Sequence, residues 1–176
     1  MALGGDSSMF MRGDSSMPGQ EADPRVSVTV PATVTEAFRI YTEQQIEWQP
    51  PAHLTVADPE SVAMEPWVGG RFYERGADGT EVVRGTITEW APPGRIGVTW
   101  RIGPGWRPVA DDENASVIVV EFNPVGPEST EVVFTYTHLE RHGEMAPILR
   151  AAIGNPGPDS AVHRYAEVVK RRATGG

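Results

Sequence analysis

The stretch Met64–Trp100, MEPWVGGRFYERGADGTEVVRGTITEWAPPGRIGVTW, decides the fold of this chain. Its β-branched and aromatic side chains lie between short turn sequences, a composition typical of consecutive antiparallel strands. The Asp78-Gly79 pair predicts a hairpin turn, because both residue types adopt positive φ at low cost, and Pro92-Pro93-Gly94 predicts a second turn. The three predicted strands are Arg71–Arg75, Thr80–Trp90 and Arg95–Arg101.

The segments on either side of this stretch complete an α+β pattern. Alternation of Val26, Val28 and Val30 with polar residues predicts a first strand. Thr33 and Glu36 have the spacing of a capping box, so we expect a short helix to begin there. The other predicted elements are a helical restart around Gln44–Trp48, a weak strand near Val62–Met64, strands over Ser116–Phe122 and Thr130–His138, a short helix over Gly143–Ile153 and a last helix over Ser160–Arg172.

The last predicted helix carries an apolar stripe, and the other predicted helices are shorter. With about six consecutive antiparallel strands before it, this helix is the best candidate to cover one face of the sheet. A curved sheet that grips a long helix leaves space between the two, and aromatic groups around such a space form a binding pocket. The stripe consists of Ala161, Val162, Tyr165, Val168 and Val169.

Composition limits the classes of function. The 176 residues suffice for one domain, predicted over residues 25–173, and there is no cysteine for a disulfide or a thiolate metal site. The formal net charge of -9 repels phosphates, which argues against a nucleic-acid partner. No apolar run approaches the ~20 residues of a membrane span, and the N-terminus lacks the blocks of a signal peptide. We therefore expect a cytoplasmic protein without a membrane partner.

Residues 1–24 differ in composition from the rest of the chain. Gly5-Asp6-Ser7-Ser8-Met9 recurs as Gly13-Asp14-Ser15-Ser16-Met17, and the segment offers almost nothing to pack. We therefore predict a disordered tail, native or added. The tripeptide Arg12-Gly13-Asp14 matches an adhesion motif, and we interpret it as a chance match in that tail.

The predicted loop Gly103–Asn114 combines polar and apolar features. Its acidic run Asp111-Asp112-Glu113 is interpreted as a solvated surface. Its Trp106 is expected to fold back onto the domain or to cap a cavity, because a large apolar side chain rarely stays in water when a polar loop carries it.

No motif in the chain commits it to catalysis or to a cofactor. It lacks a nucleophile elbow, a phosphate-binding loop, a dinucleotide fingerprint and a zinc-protease helix motif. His138 and His142 straddle the end of a strand and have no third ligand nearby in sequence, so we predict no metal site. Glu65 and Arg71 lie on either side of Gly69-Gly70 and are expected to form a structural ion pair across a turn. We therefore predict no catalytic residue, no metal and no cofactor.

A series of short motifs runs through the chain from Arg25 to Ala173. The motifs are Glu65-Pro66, Gly69-Gly70-Arg71, Tyr73-Glu74, Asp78-Gly79, Pro92-Pro93, Arg95-Ile96, Trp106-x-Pro108, Thr130-Glu131-Val132, His138-Leu139-Glu140-Arg141-His142-Gly143, Gly154-Asn155-Pro156-Gly157 and Tyr165-Ala166-Glu167. In this pattern the chain resembles the START-like (SRPBCC, helix-grip) superfamily. Within that superfamily it is most similar to bacterial homologues of the C-terminal domain of the heat-shock ATPase activator.

The resemblance implies a helix-grip fold, in which a curved antiparallel sheet of about six to seven strands wraps around a C-terminal helix, with short helices after the first strand. It also implies a cavity between sheet and helix for a small hydrophobic or amphipathic molecule. The fold alone does not select a function, because the superfamily includes carriers, receptors and cyclases. The predicted ligand-binding residues are Phe38, Tyr41, Trp48, Tyr73, Arg84, Trp100, Phe134, Tyr136 and Tyr165.

Two positions depart from the family pattern. Members often carry a Trp pair where this chain has Glu47-Trp48, and often an aromatic residue where it has Arg84. If Arg84 faces the cavity, it is a buried cation that needs an anionic ligand or a carboxylate partner. If strict alternation places it with Val82 and Thr86 on a solvated face, it has no such role. The sequence leaves both orientations open.

Three function hypotheses follow. The first is a binding protein for a small apolar or amphipathic molecule, based on the aromatic side chains, the lack of a catalytic set and the resemblance. The second, which we rank lower, is a cyclase- or hydratase-type enzyme with an acid–base pair in the cavity. The third is a co-chaperone-like interaction module, and the short N-terminal tail argues against it. Homodimerisation stays open. The candidates for the acid–base pair are Glu65, Arg84, Glu121, Tyr136 and His138.

Overall fold

The computed structural model describes residues 22–104 and 107–175. The predicted disordered tail, residues 1–24, lies outside the described residues except for residues 22–24. Trp106 also lies outside the described residues. The strands are β1 Arg25–Val30, β2 Pro59–Met64, β3 Arg71–Gly76, β4 Glu81–Ala91, β5 Arg95–Trp100, β6 Ile102–Gly103, β7 Arg107–Pro108, β8 Ser116–Gly126 and β9 Ser129–Thr137. The α-helices are α1 Val34–Glu43, α2 Gln45–Trp48, α3 Ala146–Gly154 and α4 Ala161–Gly175, with 3₁₀ turns over Pro51–His53 and Leu139–Met145.

Seven strands form one curled antiparallel sheet in the order β1-β9-β8-β5-β4-β3-β2. The long β8–β9 hairpin occupies its centre and pairs from Val117↔Thr137 to Gly126↔Ser129. The first strand joins the edge beside β9, where Val28 pairs with Val132. Strands β6 and β7 form a separate two-stranded hairpin.

The first helix begins where its capping sequence predicts. The Thr33 hydroxyl accepts a 3.2 Å hydrogen bond from the Glu36 N–H, which satisfies one of the free amides of the first turn. The Glu36 carboxylate pairs with Arg39, three residues later in the helix, instead of accepting a hydrogen bond from the Thr33 backbone N–H. The predicted capping box is therefore half formed.

Helix α4 lies against the sheet and closes the core. Its Tyr165, Val168 and Val169 side chains are at most 2% exposed and belong to the main hydrophobic cluster. Burying an apolar side chain of this size stabilises the fold by roughly 1.5–3 kcal/mol, so the stripe holds the helix in place. Tyr165 also donates a 2.8 Å hydrogen bond to the Ala37 carbonyl oxygen of α1. The predicted helix-grip architecture is confirmed.

The strands differ from the predictions in three places. The second strand begins at Pro59, earlier than expected, and β8 continues through Pro124 to Gly126, where the register shifts. Proline is tolerated there because the pairing is irregular. The β6–β7 hairpin was not predicted, because strands of two residues are too short to show an alternating pattern. In the described ranges, none of the helices is both long enough and apolar enough to span a bilayer.

The acidic run in the loop before β8 is only partly solvated. Asp111 and Glu113 are exposed. The Asp112 carboxylate accepts 2.7 Å hydrogen bonds from the Thr86 and Thr99 hydroxyls and from Arg101 Nε. The interpretation as a solvated surface is therefore wrong for Asp112, because β4 and β5 present these donors toward the loop.

Candidate ligand cavity

A cavity of about 400 Å³ lies between the curled sheet and the segment that joins α3 to α4. Its volume falls in the range of roughly 300–1,000 Å³ that is typical of small-molecule sites. Residues of β5, β8 and β9 form one wall, and the Pro51–His53 turn and residues 155–162 form the rim. Six aromatic side chains line the cavity: Tyr41, Trp48, Phe72, Trp100, Phe134 and Tyr136.

The fold brings six of the nine predicted ligand-binding residues to this one space. They come from the first two helices and from three strands, so only the packing of helices on the sheet makes them neighbours. Contact with a ligand remains a prediction for each of them. The six are Tyr41, Trp48, Arg84, Trp100, Phe134 and Tyr136.

The structure places the other three predicted residues outside the cavity lining. Phe38 packs edge-on against two aromatic rings of the core, at ring-centroid distances of 5.5 and 5.2 Å. Tyr165 is fully buried between α4 and α1. Tyr73 follows Phe72 on β3 and points to the other face, where the Arg71 guanidinium carbon lies 4.1 Å from its ring centroid. Phe38 and Tyr165 thus serve the packing of the core, whereas Tyr73 lies on the outer face of the sheet.

Two parts of the lining were missed by the sequence predictions. Phe72 had a usable signal, because it alternates with Tyr73 and one of the two must face the concave side. His53 and the segment Asn155–Ser160 had none, because they reach the cavity through the folding of loops. A sequence pattern of period 2 or 3.6 does not describe such segments.

A β-bulge directs Arg84 toward the cavity. Phe72 pairs with Gly85, and Tyr73 pairs with Val83, so Arg84 is an extra residue between two paired positions. A bulge interrupts the alternation of side chains and changes the direction of the inserted one. The question that alternation left open is thereby answered, and Arg84 lines the cavity.

The partner of Arg84 is a carboxylate that was not among the predicted site residues. Arg84 Nη1 donates 2.8 Å hydrogen bonds to Glu74 Oε2 and to the His53 carbonyl oxygen. The fully buried Glu74 carboxylate also accepts the backbone N–H groups of Thr55 and Val56, at 2.7 and 2.9 Å. This pair therefore connects β3 and β4 to the 53–56 loop at the rim.

Three titratable groups at or near the cavity have shifted pKa values. Burial opposes ionisation of Glu74, but hydrogen bonds from the Val56 N–H and from Arg84 outweigh it and lower its pKa. Burial, together with the nearby Arg84 charge, lowers the pKa of His53 and favours the neutral ring. Burial raises the pKa of Tyr136 to about 12, so its hydroxyl keeps its proton at neutral pH.

The proposed acid–base candidates are only partly brought together. Arg84 and Tyr136 line the cavity. Glu65, Glu121 and His138 lie outside the lining, each within 4.0 Å of an oppositely charged or chargeable group. No hydrogen bond in the described residues joins Arg84 to Tyr136. The cavity therefore holds separate polar groups instead of one preformed pair.

The Glu65–Arg71 ion pair forms as predicted. The Glu65 carboxylate accepts the Arg71 backbone N–H at 2.7 Å and the Arg71 Nε–H at 3.1 Å. Gly70 permits the tight turn, because a Cβ at that position would lie 2.8 Å from the Glu65 carbonyl oxygen. This contact organises the entry to β3 and lies away from the cavity.

His142 has a structural contact at the end of β9. Its Nε2 lies 2.8 Å from the Ser116 hydroxyl and accepts the Ser116 backbone N–H at 3.2 Å. Burial lowers the pKa of His142, consistent with a neutral ring that accepts this bond. In residues 22–104 and 107–175, no three His, Asp or Glu side chains have an arrangement that could hold a metal ion.

Comparison with protein families gives a match over most of the chain. Residues 31–153 match the model of the family described as Activator of Hsp90 ATPase homolog 1-like protein. That range includes the first two helices, strands β2 to β9, and α3 except its last residue. No match was found among curated protein sequences.

Several solved structures are similar to this chain. It is 42% identical to Txn09, an anthrahydroquino-γ-pyrone synthase, with 86% of this chain and 99% of that chain covered and a TM-score of 0.59. It is 26% identical to CalC from Micromonospora echinospora, a self-sacrificing resistance protein, with 84% and 94% covered and a TM-score of 0.55. Protein NE0264 from Nitrosomonas europaea shares the fold at 18% identity, with 86% and 96% covered and a TM-score of 0.59.

The family model spans more than half of the 176 residues, and the likeness to Txn09 extends over nearly the whole of that protein. The sheet that curls around α4 is the architecture that the resemblance implied. The chain therefore belongs to the Activator of Hsp90 ATPase homolog 1-like family of the START-like superfamily.

Proposed function

We propose that this protein is a cyclase that holds a polycyclic aromatic molecule in its cavity and closes an oxygen-containing ring on it. The observation that carries the proposal is the aromatic lining of the 400 Å³ cavity, since flat apolar walls suit a flat fused-ring ligand. The reaction class comes from the 42% identity to an anthrahydroquino-γ-pyrone synthase. The proposal favours the enzyme hypothesis over simple ligand binding.

The proposed reaction joins an aromatic hydroxyl to a side-chain carbonyl of the same molecule. The hydroxyl oxygen adds to the carbonyl carbon as the C=O π bond breaks, the hydroxyl proton passes to a base and the carbonyl oxygen gains a proton, which closes the ring as a hemiketal. The hemiketal then loses its new hydroxyl group and a proton of the adjacent carbon as one water, which leaves a double bond in the ring. A cavity that holds the hydroxyl and the carbonyl of the substrate close together accounts for much of the rate acceleration, because the two groups no longer have to find each other by rotation of the side chain. No external oxidant or reductant is required.

Two cavity residues have suitable protonation states for these proton transfers. Tyr136 is assigned to donate a hydrogen bond to the carbonyl oxygen, because burial keeps its hydroxyl protonated with a pKa of about 12. His53, an exposed residue at the rim of the cavity, is assigned to accept the hydroxyl proton, because partial burial and the nearby Arg84 charge lower its pKa and favour the neutral ring. Both side chains belong to residues that line the cavity.

The test uses an anthraquinone that carries a hydroxyl group next to a 1,3-diketone side chain. Liquid chromatography with mass spectrometry should detect a ring-closed product that has lost one water, formed faster with the protein than in buffer. Ala161→Trp places a large side chain in the cavity lining and should abolish the acceleration. Ala151→Trp, at an exposed position outside the lining, should retain it. Equal rates with and without the wild-type protein would reject the proposal.

The 26% identity to a self-sacrificing resistance protein favours a second candidate, in which the cavity binds a reactive natural product without turnover. The two candidates differ in stoichiometry. A cyclase gives many product molecules per protein chain, whereas a sequestering protein gives protection that saturates at one ligand per chain. The co-chaperone hypothesis and the cytoplasmic location stay predictions.

A further inference from the structure

We propose that Arg84 recognises an ionised oxygen group on the aromatic ligand, so that the cavity selects acidic aromatic molecules over neutral ones of the same shape. The chemical class is a planar oxyanion attached to fused rings, either a carboxylate or an ionised enol. This inference rests on the proposed function, because it names the kind of molecule that occupies the same cavity.

The first step concerns the position of the charge. Arg84 lines the main cavity and also a smaller adjoining void of about 60 Å³. Its side chain is only 17% exposed, so water screens its charge weakly. The Phe72 ring lies 5.7 Å from the guanidinium carbon and forms part of the same wall. A ligand in the cavity therefore meets a cation at one end of an aromatic surface.

The second step concerns the unused donors of the guanidinium. Both hydrogen bonds that the structure records for it come from Nη1. Arg84 Nε is buried and has no hydrogen-bond partner among the described residues. A purely structural Arg–carboxylate pair commonly uses two parallel bonds, whereas this pair uses one. The planar group thus retains donor capacity that a ligand oxygen can satisfy.

The third step concerns the charge of Glu74. This carboxylate is fully buried and is not part of the cavity lining. Besides Arg84 it accepts the N–H groups of Thr55 and Val56, and Thr55 Oγ1 lies 3.2 Å from Oε2. Four donors hold this carboxylate away from the lining, so the ion pair is neutral overall but presents only its cationic side to the cavity. Among the described lining residues Asp159 is the one carboxylate, and it belongs to the segment before α4.

The test compares matched acidic and neutral ligands. One pair is anthraquinone-2-carboxylate with anthraquinone-2-carboxamide, and the other is 2-hydroxy-1,4-naphthoquinone, ionised at neutral pH, with its methyl ether. Trp48 and Trp100 line the cavity, so quenching of tryptophan fluorescence reports binding. We expect each acid to bind at least about tenfold more tightly than its neutral partner, the effect of one charge-assisted hydrogen bond. Preference within one pair only would identify the carboxylate or the enol as the recognised group.

The variants remove the cation without leaving a buried charge. In the double variant Arg84→Gln/Glu74→Gln, the ratio of acid to neutral affinity should fall to about one. The neutral ligands should bind within about threefold of wild type, since the aromatic walls are unchanged. Arg84→Lys keeps the positive charge and should retain a preference for the acids.

The outcomes separate this inference from the proposed function. If the wild-type protein binds acids and their neutral partners equally, the proposed role of Arg84 is overturned and the proposed function is unaffected. The same holds if the preference for acids survives in the double variant. Failure of all four ligands to bind overturns the aromatic-ligand proposal and the inference with it. A loss of binding by neutral and acidic ligands alike in the double variant assigns Arg84 to the structure of the cavity and also overturns the inference.

Discussion

The Tyr165 hydroxyl donates a 2.8 Å hydrogen bond to the Ala37 carbonyl oxygen and so joins α4 to α1 across 128 residues of sequence. Both residues are fully buried, and burial raises the pKa of Tyr165 well above its ordinary range, so the donor keeps its proton. The contact fixes the position of the helix that the sheet grips. The cavity beside α4 depends on that position.

Tyr165→Phe should lower the free energy of unfolding by about 1–2 kcal/mol, because it removes one buried hydrogen bond and keeps the ring. Urea titration followed by circular dichroism measures the change. The matched control is Tyr73→Phe on the partly exposed outer face of β3, which should change stability by less than about 0.5 kcal/mol. Equal losses in the two variants would show that the Ala37 contact contributes nothing.

Glu74 should make stability depend on acidic pH. Its folded-state pKa lies below the ordinary value of 4.5, so its stabilising contribution is complete above that value and is lost as the pH falls through the folded pKa. Glu74→Gln should therefore be less stable than wild type at pH 7, and the two should converge in acid. Chemical denaturation between pH 7 and pH 3 tests this expectation. The exposed Glu128→Gln serves as control and should follow the wild-type curve.

Gly85 is required because of the close approach of β5 beside the bulge. A Cβ at this position would lie 2.3 Å from the Thr99 carbonyl oxygen, which the paired backbone cannot relieve. We expect Gly85→Ala to destabilise the fold by about 1–3 kcal/mol through overpacking. Gly94→Ala has no atom within 4 Å of the new Cβ and should remain within about 0.5 kcal/mol of wild type. Thermal unfolding of both variants measures the difference, and similar melting temperatures would contradict the argument.

Asp112 should stabilise the loop before β8 more than its acidic neighbours do. Asp112→Asn weakens three hydrogen bonds, from Thr86, Thr99 and Arg101, and should cost about 1–3 kcal/mol. Glu113→Gln, at an exposed position of the same loop, should be nearly neutral. Hydrogen exchange in the loop and urea titration report the effect. If Asp112→Asn left the stability unchanged, the interpretation of the whole acidic run Asp111-Asp112-Glu113 as a solvated surface would be restored.

The fold was predictable to the extent that local chemistry sets it. The turn at Asp78-Gly79 forms because Gly79 adopts a φ of 89° and the Asp78 carboxylate accepts the Thr80 N–H at 2.9 Å. The start of α1 follows from Thr33, and the apolar stripe of α4 follows from its spacing. These effects act within a few residues, so they are visible as patterns. The choice of a helix-grip architecture then came from motif resemblance as well as from the element order.

The candidate site was predictable only where residue type was sufficient. Six of the nine predicted side chains reach the cavity, and five of the six are large aromatic residues, which either fill the core or line a space beside it. Phe38 and Tyr165 fill the core and Tyr73 faces outward, and residue type alone cannot distinguish these three outcomes. The packing of α1 and α4 on the sheet decides among them.

The sequence by itself determined the existence of the seven strands of the main sheet, the Thr33 cap of α1 and the apolar stripe of α4, because each depends on neighbours in the chain. Only the tertiary structure decided the direction of Arg84 and its pairing with Glu74. The bulge arises because the pairing register of β3 and β4 shifts between Phe72 and Tyr73. The buried carboxylate is tolerated because a loop 18 to 19 residues earlier in the chain donates two backbone N–H groups to it. Such contacts join distant parts of the chain, so the folded arrangement creates the polar end of the cavity.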